Sequence, residues 1–300
     1  MTIKDRLLAL CVVVIWGVNF VVIKVGLQHM PPLLLAGLRF LLVAFPAILL
    51  VPRPRLPVRW LAAYGMTISF GQFAFLFSAI KLGMPAGLAS LILQAQAFFT
   101  LMIGGLCFGE RLRWNQYVGM AAAAGGVLVL AEGSTISVSG ITLTALLLTL
   151  AAAFSWACGN HCNRQIMQRY AVNAMSLVIW SALIPAGLFL LCSWWFESGE
   201  RVTASLATIS LSTVLALMYL SFLSTIIGYG LWGRLLARYD TWRVAPLSLL
   251  VPIVGLLSAM LLLGETLSWV QLAGILLVML GLLINLFGSR LIFLKRVRYS

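Results

Sequence analysis

Ten apolar runs, each close to twenty residues long and separated by short breaks, dominate this sequence. They lie at about 7–26, 33–51, 61–80, 86–108, 115–131, 141–162, 174–195, 210–233, 244–263 and 269–289. A helix of roughly 20 residues crosses the ~30 Å hydrocarbon layer of a bilayer, and there it satisfies its backbone polar groups within one segment. The breaks carry turn chemistry, as in His29-Met30-Pro31-Pro32, Pro52-Arg53-Pro54, Gly83-Met84-Pro85 and Glu197-Ser198-Gly199-Glu200. With 62% apolar and 9% charged residues, 300 residues cannot build the polar shell of a soluble domain. The expected fold is all-α and polytopic, with ten transmembrane helices and no folded extramembrane domain. The first run follows Lys4 and Arg6, as a secretory signal would. It is too long, holds Asn19 and Lys24 and lacks a small-x-small cleavage site, so it reads as a span.

The net charge of +13 points to membrane orientation, not to nucleic acid. With the N-terminus inside, sixteen of the twenty Lys and Arg residues fall in the inner loops and tails. Lys81 and Arg201 fall outside, and Lys24 and Arg39 lie within spans. Basic residues concentrate on the cytoplasmic side, so both termini are expected there. Trp60, Trp114, Trp194, Trp195, Trp242 and Trp269 fall near span ends, where amphipathic rings settle at the headgroups.

The chain also repeats itself. Shifted by 155 residues, Gly109, Glu110, Leu112, Trp114, Gln116 and Gly119 fall on Gly264, Glu265, Leu267, Trp269, Gln271 and Gly274. Gly126 falls on Gly281, Tyr64 on Tyr219 and Ser69 on Ser224. Nearer the start the offset is about 140, with Trp16 near Trp156, so the later half gains about 15 residues, most simply in the 193–208 loop. The organisation expected is a first repeat over 1–132 (spans 1–5), a second over 141–289 (spans 6–10) and a basic tail over 290–300. Five spans is an odd number, so the two copies insert in opposite directions. Arg111 and Arg113 accordingly become Thr266 and Ser268 in the second copy. Inverted repeats of this kind build secondary transporters, in which two halves rock about a site near the midplane.

Polar side chains within spans mark where such a site could lie. Trp16 and Asn19 share a face of span 1, and Trp156 and Asn160 a face of span 6, so a Trp–Asn pair recurs in both halves. Each Asn either lines a cavity or bonds a neighbouring helix. Gln72 and Tyr64 in span 3, and Tyr219 and Tyr229 in span 8, carry the same two readings. Gln94 and Gln96 are about 200° apart on an α-helix, so one is expected to face a cavity and the other to pack. Their repeat equivalents, Leu249 and Val251, are apolar, which makes the cavity asymmetric. Lys24 reads as an interfacial anchor. Arg39 is deeper, about six residues or ~9 Å into span 2, and is expected to face protein or a wet cavity, with a substrate carboxylate or helix-end carbonyls as partner.

None of the seven acids lies mid-span, so no carboxylate is placed to relay a proton. His161 is the nearest titratable candidate and is expected to be solvated. Cys158, His161 and Cys162 lack a fourth ligand, and no metal or other cofactor is expected. The five cysteines lie within or at the ends of apolar runs and read as small buried hydrophobes. A polytopic enzyme would need clustered acids or a His/Asp pair at a membrane face, and the seven scattered acids and two distant histidines do not supply them.

Long segments of both halves resemble the EamA family of the drug/metabolite transporter superfamily, as two EamA-type repeats covering essentially the whole chain. They are Asn19 to Leu27, Leu35 to Phe40, Gln72 to Phe77, Gly83 to Ser90, Gln94 to Phe99, Ala153 to Asn160 and Thr241 to Ser248. The resemblance is strongest to members that export O-acetylserine and cysteine. It implies efflux of cysteine-pathway metabolites across the cytoplasmic membrane, which composition and spacing do not. The partners expected are a small zwitterionic amino acid and the lipid bilayer. Import, other amino acids as cargo, and a monomer or a homodimer all remain open.

Overall fold

The computed structural model describes the backbone of residues 1–136 and 142–297, and the side chains of those residues except 133–136, 241, 242, 245 and 289–297. The side chains of Trp242 and of the basic tail lie outside the described residues. Ten long helical segments follow one another: α1 (Ile3–Gly26), α2 (Pro32–Leu49), α3 (Val58–Lys81), α4 (Ala86–Phe108), α5 (Trp114–Ile136), α6 (Leu143–Arg169), α7 (Ala174–Phe196), α8 (Leu211–Arg238), α9 (Pro246–Leu263) and α10 (Trp269–Val297). Among the described residues, nine helices are long and apolar enough to cross a membrane. The run that falls short is α5, because it begins with Asn115 and Gln116 and continues in alanine and glycine. The extra length of the second half forms a short surface helix, Gly199–Ala207, with Glu197 just before it.

The repeat is visible in backbone detail. Gly109 and Gly264 end α4 and α9 in the left-handed region, at φ 66° and 65°. In each turn the next N–H reaches back, from Glu110 to the Gly104 carbonyl and from Glu265 to the Ala259 carbonyl. These donors and acceptors are again 155 residues apart. Both α3 and α8 contain a π-helical stretch at matching positions, Gly65–Gly71 and Tyr219–Ile227. Packing repeats as well: α1 against α8 and α9, α6 against α3 and α4, and α2 against α7.

Helices α5 and α10 approach each other closely through glycines. Gly119 faces Gly281 and Gly126 faces Gly274, so the pair runs antiparallel, and under the 155-residue offset the two contacts are equivalents of each other. A β-carbon on Gly281 would lie 2.5 Å from the Gly119 carbonyl oxygen, and one on Gly126 would lie 2.8 Å from that of Gly274. Small residues are how membrane helices gain such contact where no hydrophobic force pulls them together.

The two ends of the bundle differ. At the end holding the α1–α2, α3–α4, α7–α8 and α9–α10 connections, carboxylates close the gaps. Glu197 accepts the N–H groups of Leu33 and Leu34 at the start of α2 and the hydroxyl of Ser193. Lys81 donates to the Leu27 carbonyl, and Met30 and Met84 are fully buried beside them. At the opposite, arginine-rich end, Asp5 at the start of α1 accepts from the Tyr239 hydroxyl and pairs with Arg238 at the end of α8.

Candidate functional site

A cavity of about 580 Å³ runs from the middle of the bundle toward the arginine-rich end. Among the described residues, eight helices line it, all but α5 and α10. Its walls reach Ala174 and Met175 at the first turn of α7 and Leu236 near the last turn of α8. Its inner end stops at Arg39, Leu76 and Ser90.

Arg39 sets the chemistry of the inner end. Its side chain is 2% exposed and donates from Nη2 to the Thr225 hydroxyl at 3.0 Å. That hydroxyl spends its own proton on the Leu220 carbonyl at 2.8 Å, so its lone pairs face the guanidinium. The π-helical stretch makes this possible, because its i→i−5 register places the Leu220 carbonyl beside residue 225. Ser221 in the same stretch donates to the Arg39 carbonyl oxygen. The guanidinium stacks 4.1 Å over the Phe73 ring. Arg39 Nε and Nη1 have no partner, and among the described residues no carboxylate pairs with this cation. A cation within a span costs about 2.5–3.5 kcal/mol on insertion scales. Two buried acceptors that also line the cavity lack donors, Asn19 Oδ1 and Gln72 Oε1.

Aromatic rings also line the cavity. Trp16 donates to the Ser224 carbonyl at 3.0 Å and is flanked by Tyr229 and Trp232, at ring-centre distances of 5.4 and 5.3 Å. Gly228 leaves room for the indole, since a β-carbon there would lie 2.7 Å from Trp16 Nε1. Asn160 donates to Gln96 Oε1 at 2.7 Å and to the Thr100 hydroxyl, which ties α6 to α4.

The structure brings ten of the eleven sequence candidates to this cavity: Trp16, Asn19, Arg39, Tyr64, Gln72, Gln94, Gln96, Trp156, Asn160 and Tyr229. Tyr219 is elsewhere; its hydroxyl donates to the Ile15 carbonyl at 2.9 Å and joins α8 to α1. Gln94 and Gln96 both line the cavity, contrary to the expectation that only one would. Leu93–Ala95 is a 3₁₀ turn, in which two positions are roughly 120° apart by the short way, not about 160°. Lys24 is not a free anchor, because it pairs with Glu265 at 2.7 Å. His161 is buried, not solvated; its Nε2 lies 2.9 Å from the Thr100 carbonyl and its ring stacks on Phe108. Cys11 and Cys107 are exposed on the outer faces of their helices. Sequence reasoning missed Thr225, Ser224, Ser248 and Trp232. The first three are hydroxyl residues in apolar runs, which the helical pattern does not separate from packing residues.

An all-helical membrane protein built of two inverted five-helix repeats around a cavity lined by polar and aromatic side chains and open toward one end is, in class, a transporter. The pattern of the EamA-like transporter family matches residues 5–131 and 143–287, and the chain belongs to that family. It is 64% identical over 288 residues to a "Probable amino-acid metabolite efflux pump" of Salmonella typhimurium strain LT2, and 61% identical to a protein of the same name in Escherichia coli strain K12. Both alignments cover 96% of each chain. A solved crystal structure with 23% identity superposes at a TM-score of 0.66, covering 97% of this chain and 99% of the other, which establishes the shared fold.

Proposed function

We propose that the protein exports small zwitterionic amino acids, with O-acetylserine and cysteine as the cargo, across the cell inner membrane by alternating access, with both termini cytoplasmic. The buried Arg39 carries this reading. Its two unpartnered donors suit a carboxylate, and in a site shielded from water a charge-assisted pair of hydrogen bonds is strong and directional. The unpartnered Asn19 and Gln72 carbonyl oxygens suit an ammonium group. Among the described residues, no acid lines the cavity to repel the carboxylate. The sixteen-to-two distribution of basic residues supports the orientation, and the names of the two efflux-pump relatives support export of an amino-acid metabolite. A cavity open at the arginine-rich end then loads from the cytoplasm.

The test is counterflow of labelled cysteine and O-acetylserine in proteoliposomes. Both are expected to accumulate transiently against unlabelled substrate inside. Cysteamine, which lacks the carboxylate, and N-acetylcysteine, which lacks the ammonium, are expected not to compete. Arg39→Gln removes a buried charged donor, typically worth at least about 2 kcal/mol, so transport at low substrate falls by about thirtyfold or more. Counterflow of neither amino acid, or full activity of Arg39→Gln at matched expression, refutes the assignment.

A further inference from the structure

Two ion pairs lie at opposite ends of the molecule and are one interaction used twice. Lys24 near the end of α1 pairs with Glu265 in the α9–α10 turn at 2.7 Å. Arg164 near the end of α6 pairs with Glu110 in the α4–α5 turn. Lys24 and Arg164 are 140 residues apart, and Glu110 and Glu265 are 155 apart. These are the offsets that relate the first spans and the later spans of the two repeats. Each pair therefore joins the first helix of one repeat to the fourth-to-fifth turn of the other, and each crosses the interface along which the halves must move.

The two pairs differ in state. Glu265 is 12% exposed, whereas Glu110 is 38% exposed. Glu265 also accepts the N–H groups of Ala86 and Gly87, at 2.8 and 3.1 Å, and so caps the start of α4. One carboxylate thereby holds α1, α4 and the α9–α10 turn together at the end where the cavity is closed. The exposed Arg164–Glu110 pair lies at the end toward which the cavity opens.

We infer that these pairs are the two alternating latches of the transport cycle. Lys24–Glu265 holds the external end shut in this inward-open conformation. When the repeats exchange conformations, Arg164–Glu110 becomes the buried pair that holds the cytoplasmic end shut, and Lys24–Glu265 becomes the exposed one. An ion pair suits this task. Its attraction in the closed end is largely offset by desolvation, and both ions regain water on opening. The latch is directional without being permanent, and two matched latches keep the two conformations close in free energy.

The latches can be tested without any substrate, so the outcome is independent of what the cavity carries. The five native cysteines are replaced and a single cysteine is placed at Val251, on the cavity wall and outside both pairs. Its rate of labelling by a membrane-impermeant methanethiosulfonate is measured from each side of oriented vesicles. Lys24→Gln leaves the Glu265 cap on α4 in place and removes only the cation. It is expected to raise the ratio of external to cytoplasmic labelling by about threefold to fivefold, the upper end of the range for a partly exposed ion pair. Arg164→Gln is expected to lower that ratio by a similar factor, and Glu110→Gln to follow Arg164→Gln. The Lys24→Gln/Arg164→Gln double variant should return within about twofold of the parent, because distant and opposed effects add. Single variants that move the ratio in the same direction, or that leave it unchanged, overturn the proposal. If Lys24→Gln fails to accumulate, Arg164→Gln and Glu110→Gln decide: no fall in the ratio with either one overturns it.

Discussion

Replacing Gly281 by alanine tests the close backbone contact between α5 and α10. The added carbon would lie 2.5 Å from the Gly119 carbonyl oxygen, 2.8 Å from the Ala123 nitrogen and 3.0 Å from its β-carbon. Ordinary contact begins near 3.4 Å. All three neighbours are backbone atoms or a β-carbon, so no side chain can rotate away and α5 and α10 must part by up to about 0.9 Å. Such overpacking costs typically 1–3 kcal/mol, while alanine regains at most about 1 kcal/mol over glycine within a helix. A net loss of about 1–2 kcal/mol is expected, read as a lowered midpoint in detergent unfolding followed by tryptophan fluorescence. Gly119→Ala meets the same crossing from the other side and should cost a similar amount. The Gly119→Ala/Gly281→Ala pair should cost less than the sum, because helices already parted by one methyl accommodate the second. Gly187→Ala is the control, since nothing lies within 4 Å of its added carbon. If Gly281→Ala is as stable as Gly187→Ala, or if the double variant is strictly additive, the close-contact reasoning is wrong.

Thr225→Val removes the acceptor that fixes the Arg39 fork and should raise KM for counterflow about tenfold with little change in maximal rate, while Thr225→Ser should stay near the parent. Single cysteines at the repeat-equivalent exposed positions Trp114 and Trp269 should label from opposite sides of the membrane, and labelling from one side would refute the inverted topology. Because no acid among the described residues lines the cavity, efflux from preloaded vesicles should proceed, and be accelerated by external substrate, with no imposed pH gradient; flux that appears only with a proton gradient would refute this.

Much of the architecture was legible in the sequence. Span length follows from bilayer thickness, and the inversion follows from an odd number of spans per repeat, so both can be read from residue counts alone. The Gly109-Glu110 and Gly264-Glu265 turns were legible as a duplication, and their matching left-handed glycines follow from it. The mid-span polar residues were legible too, because an amide or cation in hydrocarbon needs a reason to be there. Tyr219 shows the limit of that argument: a hydroxyl bonded to the Ile15 carbonyl has the same sequence signature as one facing a cavity.

The tertiary structure decided how those residues are used. Helical periodicity assumes one geometry along a span, but the 3₁₀ turn at Leu93–Ala95 swings Gln94 and Gln96 to a common wall, and the π-helical stretch in α8 presents Thr225 to Arg39. Pairing across the repeat interface was likewise out of reach. Lys24 and Glu265 are 241 residues apart, and only the packing of α1 against the end of α9 brings a cation that looked like a lipid anchor onto a helix-capping carboxylate. The sequence by itself determined the number of apolar runs, their alternation and the duplication, because these depend on chain length and local chemistry. Which polar groups meet, which stay unpartnered and which end is closed depend on side chains from distant segments sharing one small volume, and only the folded chain specifies that.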